Sequence, residues 1–432
     1  MIELRDFKII HDSVHGSIKL EEPLISLLET PEMQRMNSIR QLGLTYLIFP
    51  GANHTRLEHS LGTSYLAELV SRSLNLDSYE TLLLRSAGLL HDIGHSPYSH
   101  TLERFLNEKT GKNHMQITKD IIEGSLKIMD ERSGLTIREI LENYSIDVKK
   151  LCSIITGNLE NRESLNLHIN DNGQGFFSEP DRYLTEIING SMDVDQLDYL
   201  VRDSHYTGVA YGVIDIPRII NTIRIYNGSI SIDKKGVSAI EGILVARALM
   251  YSSVYFHKTA RIAELMLTRG VEELKFRLWS DLYRLGDSEL ISLLINSEGY
   301  SKDIGLRLKY RRLYKRAYVK YFEDLDENET EKIIEYSDTK KIRKLEKEIC
   351  EELNLENGKV LIDIPEKDVI LNEPRFNRAD IKIYDENKVQ TLYSISPLAK
   401  SITNRRAFDW VFMVITPEEY TEKVNKKVKN IF

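Results

Sequence analysis

Two short stretches decide the reading of this chain: Arg56-Leu57-Glu58-His59, and His91-Asp92-Ile93-Gly94-His95 with His100 close behind. Six of the eleven histidines lie between His54 and His114. Imidazole is the commonest protein ligand of transition metals, and an adjacent aspartate adds a hard oxygen donor and negative charge. A lone histidine on an apolar helix is usually a core residue, but this cluster beside an aspartate points to a metal site. Arg56 and His59 stand three apart and so share one side of a helix. His91 and Asp92 end an apolar run over 82–90 that reads as a buried helix. A further ligand must come from farther along, and Met192-Asp193-Val194-Asp195 is the supplier on offer. Two imidazoles with two carboxylates suit Fe, Mn or Zn, with Mg beside them on oxygen ligands. A cation held this way lowers the pKa of bound water and neutralises phosphate oxygens, so hydrolysis of a phosphate ester or anhydride is the expected chemistry.

Outward from these stretches, helical periodicity dominates the first two-thirds of the chain. Leu61, Tyr65, Leu66, Leu69, Val70 and Leu74 predict an amphipathic helix from about Glu58. Pro97 permits a new helix carrying His100 and Glu103, and a loop is expected at 171–175. Helices are expected over 191–205 and, as one long or two abutting elements, over 241–276. Residues 302–356 are rich in Lys, Arg and Glu at helical spacing. Strand-like runs follow at 359–364, 380–384, 390–395 and 410–415, with a helix after Pro417. The expected architecture is mainly α: a helical core over 1–290 and a smaller α+β region over 291–432.

Composition sets limits on function. With 41% hydrophobic and 29% charged residues, the chain is an ordinary globular one. Its net charge of −8 argues against coating a nucleic acid, while permitting a local basic pocket. Cys152 and Cys350 have neither zinc nor redox spacing and suggest a reducing compartment. The first residues lack the basic and apolar regions of a signal peptide, and no apolar run approaches the roughly 18 residues that span a bilayer. A cytoplasmic location without a membrane partner is expected.

The pattern H…HD…D resembles the HD-domain metal phosphohydrolases. The wider run "ETPEMQRMNSIRQLGLTYLIFPGANHTRLEHSLG", then "LLHDIGHSPYSHTLE", "MDVDQLDYLVRDSHYTG" and "YFHKTA", resembles the deoxynucleoside triphosphate triphosphohydrolase branch, in the same order from about Phe7 to Lys258. That branch includes vertebrate SAM- and HD-domain proteins; no SAM domain is expected ahead of the match. The resemblance implies His59, His91, Asp92 and Asp195 as the metal ligands. It further implies that Arg56, His95, His100 and His114 contact the phosphates or transfer the proton. His100 has Glu103 one turn on, a carboxylate able to orient its ring as a general acid. Water activated at the metal would then attack the α-phosphorus, and the products would be deoxynucleoside and tripolyphosphate.

Asp195, Tyr199 and Asp203 recur every four residues on one helical stripe, and Arg247, Tyr251 and Tyr255 form a second. Such tyrosines are more often core than pocket. The resemblance places them, with the aspartate, around a sugar and the arginine on the phosphates. It also sets Gln41 and Leu42 under the sugar and base, with Tyr255 crowding C2′. One departure is Gln196, where the vertebrate proteins carry a phosphate-contacting lysine.

An apolar helical face is expected over 306–322, formed by Tyr310, Leu313, Tyr314, Ala317, Tyr318 and Phe322 with a basic rim. There Arg311 and Lys315 resemble the family's pair for an activating nucleotide's phosphates, Lys8 fits the same role, and Gln34 matches one of the guanine-reading positions. Glu29, Asn37 and His11 depart from that branch's pattern, so guanine selection is in doubt. The resemblance alone implies a homodimer or homotetramer. Two rival readings stay open: an HD phosphohydrolase on another nucleotide (a monophosphate, a diphosphate or a signalling nucleotide), and a nucleotide-sensing or nucleic-acid-binding protein with little catalysis.

Overall fold

The computed structural model describes residues 7–129, 134–157, 182–364, 381–386, 388–403 and 410–431. The loop expected at 171–175 lies outside them. The protein is mainly α, with a smaller α+β region towards its carboxy terminus. Helix α1, Arg56–Ser73, starts on a capping box in which Thr55 and Glu58 satisfy each other's backbone N–H groups. Helix α2, Ser78–Leu90, starts on the same device with Asp77 and Glu80. The two helices pack together, and Gly88 sets how closely: a Cβ there would meet the Ser64 nitrogen at 3.0 Å. Close packing carries His91, at the end of α2, to 5.2 Å from the His59 ring of α1.

A 3-10 turn, Ser99–Leu102, leads into α3, Glu103–Thr110, which is followed by α4, His114–Ile122. Helix α5, Val194–Thr207, supplies Asp195 and crosses α1 at Gly62, where a Cβ would sit 1.9 Å from Asp198 Oδ1. The region expected as one or two helices over 241–276 is α6, Val237–Met250, and α7, Lys258–Glu272, joined through a π turn at Tyr251–Tyr255. The wider turn interrupts the regular stripe expected of Arg247, Tyr251 and Tyr255. The stretch Lys234–Tyr255 is long and apolar enough, with mean hydropathy 1.4, to cross a membrane by length and composition. This corrects the expectation that no run is; here its Ile240, Ile243, Met250 and Val254 are buried in the protein core.

Strands appear within the first two-thirds of the chain, where helical periodicity dominates the sequence. β1, Phe7–Asp12, and β2, Gly16–Glu21, form an antiparallel hairpin. β3, Ile223–Tyr226, and β4, Ser229–Asp233, form a second. The helix expected over 306–322 ends at Lys309; Arg311 turns the chain at φ 54°, and β5, Lys315–Tyr321, follows. Arg311 and Lys315 are therefore not one helical turn apart. The physical cause is β9, Trp410–Thr416, a strand buried along its whole length whose backbone groups need partners on both sides. β5 and β6, Leu361–Asp363, flank it in the order β5-β9-β6. The run expected as a strand over 390–395 divides into β8, Lys388–Thr391, and a helical turn, Leu392–Ile395. β7, Lys382–Asp385, pairs with β8 and runs parallel to β4, with Ile232 opposite Ile383. The sheet β3-β4-β7-β8 thus joins residues from both sides of the division expected at 290.

Candidate metal centre and its cavity

The two histidines reach the site as fixed tautomers. His59 Nδ1 donates to Asp198 Oδ2 at 2.7 Å, and His91 Nδ1 donates to the Gly88 carbonyl at 2.8 Å. Each ring therefore presents an unprotonated Nε2 when neutral. Both Nε2 atoms are buried and make no hydrogen bond. His59 Nε2 lies 2.9 Å from Asp195 Oδ1 and 3.7 Å from Asp92 Oδ2. His91 Nε2 lies 3.7 Å from Asp195 Oδ1 and 3.4 Å from Asp92 Oδ1. One donor atom from each of His59, His91 and Asp195 falls within 4.8 Å of the others.

Two orphaned imidazole nitrogens facing two carboxylates fit a divalent cation. The charge distribution agrees with this. Burial opposes protonation of His59, yet the Asp195 and Asp198 carboxylates raise it to about 10, a measure of how strongly the pocket attracts positive charge. Burial and the neighbouring Asp195 raise Asp193 to about 7. For Asp92, burial works upward, but Arg56, His91 and His95 outweigh it and hold the carboxyl well below the usual range.

Asp198 is not among the residues expected from sequence, although it sits three positions after Asp195 on the same helix. Its carboxylate, fully buried, accepts from His59, from His15 Nε2 at 2.6 Å and from Arg202 Nε at 2.8 Å. Arg202 in turn grips Asp12, whose Oδ1 accepts the Val14 and His15 backbone N–H groups. The turn of the β1–β2 hairpin is thereby wired to His59, a candidate metal ligand. Carboxylates behind ligating histidines tune metal affinity by about 10–100-fold. Asp198→Asn is expected to weaken Mn binding by that factor in a calorimetric titration; unchanged affinity would remove Asp198 from the site.

A cavity of about 140 Å³ opens beside these ligands, and Gln41, Arg56, His95, His100, His114 and Tyr199 line it. Arg56 is 2% exposed. Its Nη1 pairs with Asp92, its Nε donates to Ser99 Oγ at 2.7 Å, and its Nη2 is buried without a hydrogen-bond partner. Gln41 Oε1 is likewise buried and unpartnered. His95 stacks on His114 with centroids 4.3 Å apart, and His100 meets His95 edge-on at 4.7 Å. Burial, Arg56 and His114 together push His95 well below its ordinary value, so its ring is neutral. Glu103 accepts from His100 Nδ1 at 2.8 Å and from His114 Nδ1. Those bonds overcome burial and keep its carboxyl far down.

Leu42, Asp203, Arg247, Tyr251 and Tyr255 do not line this cavity. Asp203 has both oxygens engaged, by His54 Nε2 at 2.7 Å and by Tyr255 Oη at 2.7 Å. It braces Tyr255, which meets Tyr199 edge-on at 6.1 Å and Tyr251 at 5.1 Å. The Arg247 guanidinium lies 5.5 Å over the Tyr251 ring. Gln196 Nε2 donates to Tyr199 Oη at 3.4 Å. The four residues expected at an activator site have separate partners within the chain. Lys8 pairs with Glu29, Gln34 donates to the Leu28 carbonyl, Arg311 donates to the Leu47 carbonyl, and Lys315 lies 4.0 Å from Glu418.

Comparison with known proteins places this geometry. The family described as HD domain matches residues 56–203, and the one described as HD associated region matches 214–432. The uncharacterized protein MJ1154 of Methanocaldococcus jannaschii is 36% identical over 429 residues, covering 97% of this chain and 81% of that protein. The deoxynucleoside triphosphate triphosphohydrolase SAMHD1 of Gallus gallus is 31% identical over 289 residues, covering 62% of this chain and 45% of its own length. The match therefore spans under half of that enzyme. Among solved structures, a phosphohydrolase from Bacteroides thetaiotaomicron superposes with a TM-score of 0.69 at 25% identity, covering 95% of this chain and all of that one. With a helical HD core, an associated region over its second half and a His/Asp centre suited to a divalent metal, the chain belongs to the HD-domain phosphohydrolase superfamily.

Proposed function

We propose that the protein hydrolyses deoxynucleoside triphosphates to deoxynucleoside and tripolyphosphate, with Fe, Mn or Zn on His59, His91, Asp92 and Asp195 and Mg beside it. The observation that carries this reading is the pair of unpartnered buried groups flanking the ligands. Arg56 Nη2 is a free donor suited to a phosphate oxygen, and Gln41 Oε1 a free acceptor suited to a sugar hydroxyl. The triphosphohydrolases similar to this chain act on the same substrate class by name. When bound, the metal supplies a polarised phosphoryl oxygen and a water of lowered pKa. The protein's own groups do the rest. Arg56, pinned by Asp92 and Ser99, holds the phosphate chain without needing to reorganise. Neutral His95 adds a hydrogen bond rather than a charge. His100, with its side chain 66% exposed at the cavity rim, is aimed by Glu103. As the bond from the α-phosphorus to O5′ breaks, His100 gives its proton to that oxygen. Tyr199, at the cavity wall and backed edge-on by Tyr255, which Asp203 braces, is the ring against which a 2′-hydroxyl would clash.

A second reading, hydrolysis of a nucleotide with fewer phosphates, draws on two observations. Gln196 stands bonded to Tyr199 where a lysine would add a cation. The 140 Å³ cavity is also smaller than the about 300 Å³ at which ligand pockets begin. An activating nucleotide on Lys8, Gln34, Arg311 and Lys315 would, by the family resemblance alone, sit between subunits of a homodimer or homotetramer, and each residue would first have to leave its partner within the chain.

The test is product analysis with each of the four dNTPs, singly and mixed, in Mn, Mg or Fe. Deoxynucleoside and tripolyphosphate are the expected products, and His100→Ala should lower kcat by about 10²–10⁴-fold, the range of a general acid. Monophosphate and pyrophosphate would mean another point of attack, and a full rate in His100→Ala would unseat the acid. No turnover of any dNTP would favour the second reading. Synergy in the mixtures would reveal an activator, and none would dispose of it.

A further inference from the structure

Two successive residues, Tyr98 at φ 59° and Ser99 at φ 56°, lie in the left-handed region directly before His100. Neither is glycine, and L side chains resist this conformation, so the surroundings must hold it. The holder is Asp287, the first residue of helix α8, Asp287–Asn296, and only 2% exposed. Its Oδ1 accepts the Tyr98 N–H at 2.7 Å, and its Oδ2 accepts the Arg40 N–H at 3.0 Å. Ser99 closes the arrangement. Its hydroxyl donates to the Arg40 carbonyl at 2.8 Å and accepts from Arg56 Nε at 2.7 Å. One carboxylate thus ties the backbone before Gln41 to the turn before His100, with Arg56 joined through Ser99. Asp287 lies in the HD associated region, while Tyr98 lies in the HD domain.

We infer that Asp287 is a positioning residue for hydrolysis, holding the Tyr98–Ser99 turn so that His100 stands over the cavity opposite Gln41 and Arg56. It does not line the cavity itself. Both oxygens are needed as acceptors, so asparagine, equal in size, would set an NH2 against one of the two backbone N–H groups. The inference rests on the reading of His100 as proton donor, and the test separates the two.

A donor matters for a 5′-alkoxide leaving group and little for 4-nitrophenolate, which departs unprotonated. Asp287→Asn should therefore slow dNTP hydrolysis by about tenfold or more in kcat, while bis(4-nitrophenyl) phosphate hydrolysis stays within about threefold. In 13C-histidine-labelled protein, the His100 ring resonances should shift while those of His257 stay in place. Equal slowing of both substrates would mean a general structural role and would overturn the inference, as would an unmoved His100 resonance. A wild-type protein that leaves dNTPs intact would defeat the substrate reading, and the His100 resonance alone would then decide the role of Asp287.

Discussion

Replacing Asp195 by alanine is expected to abolish hydrolysis and metal-dependent stabilisation together. Asp195 Oδ1 is 2.9 Å from His59 Nε2 and 3.7 Å from His91 Nε2, so it faces both of the buried nitrogens that make no hydrogen bond. Burial alone would raise this carboxyl, but His59 and His91 hold it well below the usual range. It is thus poised as an anionic ligand. Several kcal/mol of transition-state stabilisation are at stake at such a centre. At 1.36 kcal/mol per factor of ten, a loss of roughly a thousandfold or more follows. The second readout is thermal. An ion bound only to the folded chain adds about 4 kcal/mol when present at a thousand times its Kd. Wild-type protein should melt higher with excess Mn, and Asp195→Ala should not. A variant that kept either its rate or its Mn-dependent rise in Tm would show that the metal is held elsewhere.

The second large effect is on stability. Arg56→Met removes one half of a buried ion pair, leaving the Asp92 side chain, 7% exposed, without its guanidinium. Breaking a buried pair from one side costs about 3–5 kcal/mol, because the remaining charge is neither solvated nor compensated. The same substitution takes a donor from Ser99 in the left-handed turn, so the loss should reach His100 as well. Lysine retains the charge but lacks the fork that contacts Asp92 and Ser99 at once, so Arg56→Lys should recover only part of the stability. Urea unfolding of the three proteins without metal checks this. A loss below about 1 kcal/mol in Arg56→Met would indicate an exposed, weakly coupled pair instead.

How legible the protein was in its sequence depends on the range of each interaction. The helices carrying the ligands are local objects. Thr55 and Glu58 mark the start of α1, Asp77 and Glu80 that of α2, and the apolar repeat fills what lies between. The pairing of Arg56 with His59 and the His91-Asp92 doublet were readable for the same reason. β5 was not. Its Lys, Arg, Tyr and Val residues fit a helical pattern, and only pairing with the buried β9 made a strand of them. The hairpin β1–β2 and strand β4 were missed likewise, and β7, expected as a strand, could not be matched to β4, since a ladder's partner is invisible to a single window of sequence.

The candidate site divides along the same line. The candidate ligands His59, His91 and Asp92 and the His100–Glu103 pair follow from residue types at short spacings, whereas Asp195 was only the supplier on offer farther along and the role of Arg56 came from the family resemblance. The groups that aim those residues do not. Asp198 reaches His59 from another helix, His15 and Asp12 arrive from a hairpin turn, and Asp287 reaches Tyr98 from the associated region. The assignment of Asp203 and Tyr255 to each other, rather than both to the cavity, also needed the fold. Which residue types can serve as ligands is a property of side-chain chemistry, and that much the sequence by itself determined. Ligand orientation depends on hydrogen bonds between segments far apart in the chain, and only the tertiary structure decides which of them meet.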